Sequence, residues 1–76
     1  MNWEKKEDHL VKEFELEDFS GAVNFVNKIV PLANAADHHP DILIHSYKKV
    51  KISLTTHDKG EITEKDYDLA KEIDKV

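Results

Sequence analysis

Along this chain the spacing of apolar side chains changes period three times, and no other feature of the sequence restricts the fold as much. Between Trp3 and Leu16 the spacing is that of extended chain. Leu10, Phe14 and Leu16 share one parity while Glu13 and Glu15 take the other, the alternation of a strand with one buried face. Lys12 interrupts the apolar parity, and no glycine marks the turn near Asp8–His9 that would divide the stretch into two short strands. From Phe19 to about Ala36 the period lengthens. Phe19, Ala22, Val23, Val26, Ile29, Val30, Ala33 and Ala36 recur at three- and four-residue intervals, which predicts a helix with one apolar stripe. Asp18 is its expected N-cap. Pro31 has no N–H to donate and crowds the preceding turn, so a kink or break is expected there.

Residues 41 to 57 return to extended spacing and predict a hairpin. Ile42-Leu43-Ile44 and Val50-Lys51-Ile52-Ser53-Leu54-Thr55-Thr56 flank Lys48-Lys49. With those lysines as the turn, Leu43 faces Leu54, His45 faces Ile52 and Tyr47 faces Val50, giving one apolar face. The same register sets Pro40 opposite His57, beside His38 and His39. The last segment carries a marked helix start. Thr63 and Asp66 form a capping box with Asp in place of Glu, and Ile62 and Tyr67 hold the staple positions. Leu69, Ala70, Ile73 and Val76 are its expected buried stripe. The order strand, strand, helix, strand, strand, helix predicts a single α+β domain over residues 1–76. It is two-layered, an antiparallel four-stranded sheet with both helices on one face.

So short a chain (76 residues) buries proportionally little surface and usually needs a further support. Disulfides are excluded because there is no cysteine, and a structural zinc would lack the thiolates that dominate such sites. Self-association remains, so a homodimer or homotetramer is expected. The net charge is -5, and every basic residue is lysine. Such a chain is a poor ligand for nucleic-acid phosphates and lacks the planar fork that grips carboxylates bidentately. A neutral or weakly charged substrate is favoured. No apolar run approaches a membrane span, and Met1-Asn2-Trp3-Glu4-Lys5-Lys6-Glu7-Asp8 has no apolar signal region, so a cytoplasmic location is expected.

Chemistry concentrates at Asp37-His38-His39-Pro40, between the long helix and the hairpin. Imidazole gives or takes protons near neutrality without a large shift, and two adjacent rings can address two sides of one ligand. The bland alternative is a polar loop satisfying the end of the helix. Bringing His57 beside the pair favours the chemical reading. Three histidines with Asp37 or Asp58 could also hold zinc, but adjacent residues rarely share one ion and no helical His-x-x-x-His spacing is present, so acid–base work ranks above metal. His9 in its turn and His45 on the apolar hairpin face are expected to be structural. Asp66 is first of all a capping residue.

The run Asp37-His38-His39-Pro40, then Tyr47, His57 and Asp66 at their respective spacings, resembles the pterin-4a-carbinolamine dehydratases. The segments Phe14–Phe19, Val50–His57, Ile62–Asp66 and Asp68-Leu69-Ala70 are similar to that family as well, so the resemblance extends over nearly the whole chain from Trp3. It implies a lyase that dehydrates 4a-hydroxytetrahydropterin to quinonoid dihydropterin and water, with no metal or organic cofactor. It also implies coupling to an aromatic amino acid hydroxylase in pterin recycling. By the same resemblance His38 and His57 are general acids on opposite faces of the pterin, and His39 binds the ring and takes the N5 proton. Asp37 and Asp66 orient imidazoles, and Tyr47 is a family position. Departures are Asn34, where members usually carry an acidic or similarly charged residue, and Lys65, where animal members have arginine. Many members also carry a helix before the first strand that these residues do not include. Asparagine holds a hydrogen bond but cannot relay a proton, which keeps a non-catalytic pterin-binding or protein-interaction module open as the rival reading.

Overall fold

The computed structural model describes residues 2–76. Four strands and two helices follow in the order β1 (Glu4–Lys6), β2 (His9–Glu15), α1 (Phe19–Ala36), β3 (Asp41–His45), β4 (Lys49–Leu54) and α2 (Glu64–Asp74). The strands form one antiparallel sheet in the order β1-β2-β4-β3. Its inner face carries Leu10, Val50, Ile52 and Leu54. These meet Ala22, Phe25 and Ile29 of α1 and Leu69, Ala70 and Ile73 of α2 in one buried cluster, so both helices cover the same face. Full burial of each large aliphatic side chain contributes about 1.5–3 kcal/mol. The α+β reading of the periodicity therefore holds. No helix among the described residues is long and apolar enough to cross a membrane.

The β3–β4 register differs from the sequence expectation. Ile42 pairs with Ile52 and Ile44 with Val50, while Asp41, Leu43 and His45 pair with Ser53, Lys51 and Lys49. The turn is Ser46-Tyr47-Lys48, with Ser46 at φ 50 and Tyr47 at φ 53. Left-handed backbone at a hairpin tip is normally announced by asparagine or glycine, and Ser-Tyr gives no such signal. Moving the turn reverses the parity of β3. Leu43 (55% exposed) and Tyr47 (61% exposed) face away from the core, and His45, expected on the apolar face, instead meets Glu13 at 2.5 Å, where both side chains are partly exposed. Glu7, at φ 54, plays the glycine's part in the β1–β2 turn.

Lys12 does lie on the inner parity, opposite Ile52. Its stem runs along the apolar edge and its amine reaches Asp74 at 2.8 Å, 4.8 Å from the Phe14 ring centroid. A snorkelling lysine thus closes the end of the core that its charge seemed to spoil. Trp3 donates from Nε1 to the same carboxylate at 3.1 Å, tying the start of the chain to the end of α2.

Helix α1 begins at Asp18, whose side chain accepts from the Gly21 amide, and runs through Pro31 without breaking. Pro31 and Asn27, whose carbonyl loses its partner, are both exposed, so water can replace the missing bond. The buried stripe is Ala22, Phe25, Ile29 and Ala33, which brings in Phe25 and leaves out Phe19, Val23 and Val30, all exposed. In α2 the Thr63–Asp66 capping box is present as expected, while Val76 is exposed rather than buried.

Candidate active site

Helix α1 ends on Asp37, whose backbone is left-handed (φ 51, ψ 42). The amides of Asp37 and His38 donate back to Asn34 and Ala33, an αL helix ending that usually uses glycine and here uses Asp. This sharp exit turns His38 and His39 off the helix at the end of the sheet where β4 finishes. β4 stops at Leu54, and Thr56 pairs with Glu61 across a tight turn. The Lys59 and Gly60 amides donate to the Thr56 carbonyl, and Gly60 takes φ 64. That turn projects His57. The histidines therefore meet, but through the turn after β4 and not through hairpin pairing.

Asp37, His38, His39, Thr56, His57, Asp58 and Lys65 line a cleft of about 210 Å³. Typical ligand sites run about 300–1,000 Å³, so this one suits a compact ligand. A concavity of about 410 Å³ on the outer sheet face, between Lys6, His9, Asp41, Leu43 and Lys51, is larger. Its polar side chains, Lys6, His9, Asp41, Lys51 and Ser53, include no buried group. The histidine cleft has one.

That group is Asp66, 0% exposed. A buried carboxylate is tolerated only when donors surround it. Asp66 accepts from His38 Nε2 at 2.5 Å, from Thr56 Oγ1 at 2.8 Å and from the Thr63 amide at 2.9 Å. His38, with its side chain 10% exposed, is thereby held by Nε2. Nδ1 is the ring nitrogen left for a ligand. His39 is more exposed and its Nε2 lies 3.1 Å from Asn34 Oδ1. An amide oxygen only accepts, so His39 donates from Nε2 and also presents Nδ1. His57 is exposed, lines the same cleft from the turn after β4, and makes no side-chain hydrogen bond among the described residues.

Four of the remaining expectations sort differently. Asn34 and Asp66 each hold an imidazole. Asp37 lines the cleft and supplies the helix ending, and among the described residues its carboxylate accepts no hydrogen bond from an imidazole. Tyr47 lies at the far tip of the β3–β4 hairpin, and the five residues of β3 alone span about 17 Å. Among the described residues no three His, Cys, Asp or Glu side chains are placed to share a metal ion. Thr56, which hydrogen-bonds Asp66 and lines the cleft, is the neighbour that spacing could not reveal, because its polar position inside a β-rich run resembles any solvent-facing threonine.

The family model for pterin 4 alpha carbinolamine dehydratase matches residues 1–76. A protein of Picosynechococcus sp. named "Putative pterin-4-alpha-carbinolamine dehydratase" is 50% identical over 74 residues, covering 97% of this chain and 79% of the relative. A protein of the same name from Sulfurisphaera tokodaii is 49% identical over 74 residues, covering 97% and 78%. A crystal structure described as a transcriptional coactivator/pterin dehydratase from Brucella melitensis superposes with a TM-score of 0.87 at 30% identity, covering 95% of this chain and 78% of that one. A pterin dehydratase-like protein described as a RuBisCO assembly factor in the alpha-carboxysome shares the fold, with a TM-score of 0.74 at 20% identity over 96% and 83%. The chain belongs to the pterin 4 alpha carbinolamine dehydratase family.

Proposed function

We propose that the protein dehydrates a 4a-hydroxytetrahydropterin in the cleft of His38, His39 and His57. The observation that carries this reading is the pairing of His38 Nε2 with a buried, fully hydrogen-bonded Asp66. A carboxylate in that place fixes the ring through Nε2, so His38 turns Nδ1, the atom that gives or takes a proton, toward the ligand. The reaction asks for proton placement. The C4a hydroxyl takes a proton from an imidazolium and leaves as water as the C4a–O bond breaks. N5 loses its proton to a second imidazole, and the electrons of that N–H bond form C4a=N5. The product is the quinonoid dihydropterin.

His38, inside the cleft wall, is the general acid for a hydroxyl on its face of the ring. His57, from the turn after β4, serves the other face. His39, steadied by Asn34, binds the heterocycle and accepts the N5 proton. Asn34 holds that ring but cannot pass the proton onward, so bulk water collects it from the exposed imidazole. A positioned acid or base is typically worth about 10²–10⁴-fold, enough for a dehydration that already proceeds unaided. The physiological setting that suits this chemistry is pterin recycling beside an aromatic amino acid hydroxylase in the cytoplasm.

The test is the rate at which quinonoid dihydropterin appears from freshly generated carbinolamine. Acceleration over the spontaneous rate, retained after exhaustive chelation, supports the proposal. A rate equal to the spontaneous one rejects it and favours a binding module, while loss on chelation and recovery with zinc moves the chemistry to a metal.

A further inference from the structure

We propose that Thr56 is a positioning residue for His38, acting through Asp66. The inference rests on the dehydratase reading of the cleft and extends it to a residue one step behind the imidazole. A carboxylate only accepts hydrogen bonds, so Thr56 Oγ1, 2.8 Å from Asp66 Oδ2, donates its single proton there. Thr56 Oγ1 is also 2.7 Å from Thr63 Oγ1. With its own proton committed, Thr56 must accept that second bond, and Thr63 donates it. Thr63 Oγ1 in turn accepts from the Lys65 amide. All hydroxyl protons along the line are thus assigned, and they run one way: Lys65 amide to Thr63, Thr63 to Thr56, Thr56 to Asp66.

The line has a consequence at the imidazole. Oδ2 of Asp66 is occupied by Thr56 and by the Thr63 amide, leaving Oδ1 to His38 Nε2. Three donors fix the plane of the carboxylate, and no water can substitute at a group that is 0% exposed. So long as Asp66 is a pinned acceptor, neutral His38 carries its proton on Nε2 and offers Nδ1 to the ligand. Polarisation along such a chain strengthens each bond in it. Helix capping does not account for Thr56. The Thr63 side chain and the Asp66–Thr63 amide bond complete the capping box by themselves. Thr56 comes from the turn after β4, next to His57, and lines the cleft. Its hydroxyl serves the carboxylate's second task, orienting the imidazole.

The experiment compares Thr56→Val, which keeps the shape without the hydroxyl, with Thr56→Ser, which keeps the hydroxyl. Imidazole ¹⁵N spectra of the ligand-free proteins report the His38 tautomer independently of turnover. Wild type and Thr56→Ser should show neutral His38 protonated on Nε2, with kcat preserved in Thr56→Ser. Thr56→Val should show a mixed or inverted tautomer, and its kcat should fall roughly 10- to 100-fold, the scale of one hydrogen bond to a charged acceptor, with a smaller change in KM. A folded Thr56→Val protein with the wild-type tautomer and wild-type kcat overturns the inference. If Thr56→Val does not fold, the wild-type spectrum decides: a slowly exchanging Thr56 hydroxyl proton supports the inference and its absence overturns it. The predicted tautomer change in a protein without dehydratase activity would reject the functional reading alone.

Discussion

His38 and Asp66 show how one carboxylate can cap a helix and hold an imidazole together. Asp66 closes the capping box of α2 with one oxygen and holds the His38 ring with the other. Substitutions at these residues should therefore separate by what they measure. His38→Ala removes an interaction made mainly in the transition state, so kcat should fall about 10²- to 10⁴-fold with little change in KM. His39→Ala should weaken ground-state binding as well, read as a rise in KM beside a lower kcat. Asn34→Glu places a proton carrier next to His39 Nε2 and should raise the rate or alter its pH dependence; an unchanged profile argues against a relay at that position. The histidines and Asp66 were legible in the sequence because imidazoles and capping carboxylates are chemically conspicuous. Thr56 was not, since its importance comes from which oxygen it reaches and not from its type.

Among the elements, those whose sequence carried a physical signature were placed correctly. Helix α2 announced itself through Thr63 and Asp66, and α1 through its three- and four-residue spacing. The β3–β4 hairpin was misread because its left-handed residues are Ser46 and Tyr47, where chain chemistry advertises nothing, and a turn placed on Lys48-Lys49 reverses which residues of β3 are buried. His57 reaches the cleft all the same, carried by the turn at Gly60. Two measurements check this arrangement. Thr63→Ala should destabilise the fold by about 1 kcal/mol through loss of the cap, seen in chemical denaturation. Tyr47→Gly relieves a side chain at φ 53 and should stabilise by up to about 1 kcal/mol, the relief of left-handed strain outweighing the added freedom of the unfolded chain. Because Tyr47 is remote from the cleft, that variant should keep its kcat.

At the scale of the whole molecule, an apolar stripe lies uncovered among the described residues. Phe19 (57% exposed), Val23 and Val30 (47% exposed) share the outward side of α1, away from a core built from Ala22, Phe25 and Ile29. Helices in soluble proteins seldom leave such a stripe in water, which supports the expectation of a dimer or tetramer; sedimentation at micromolar concentration should give a mass above that of one chain, and a monomer would contradict it. The cleft is open to solvent and does not need that stripe for its chemistry to be tested. In the proposed reaction His38 protonates a hydroxyl departing from one face of the pterin and His57 one departing from the other. The most direct measurement is the dehydration rate of each C4a-hydroxyl epimer by wild type, His38→Ala, His39→Ala and His57→Ala. Wild type should accept both epimers, His38→Ala and His57→Ala should each lose mainly the epimer on its own face, and His39→Ala should be impaired on both. Wild-type rates on both epimers in all three variants would make the histidines structural and the cleft a binding surface.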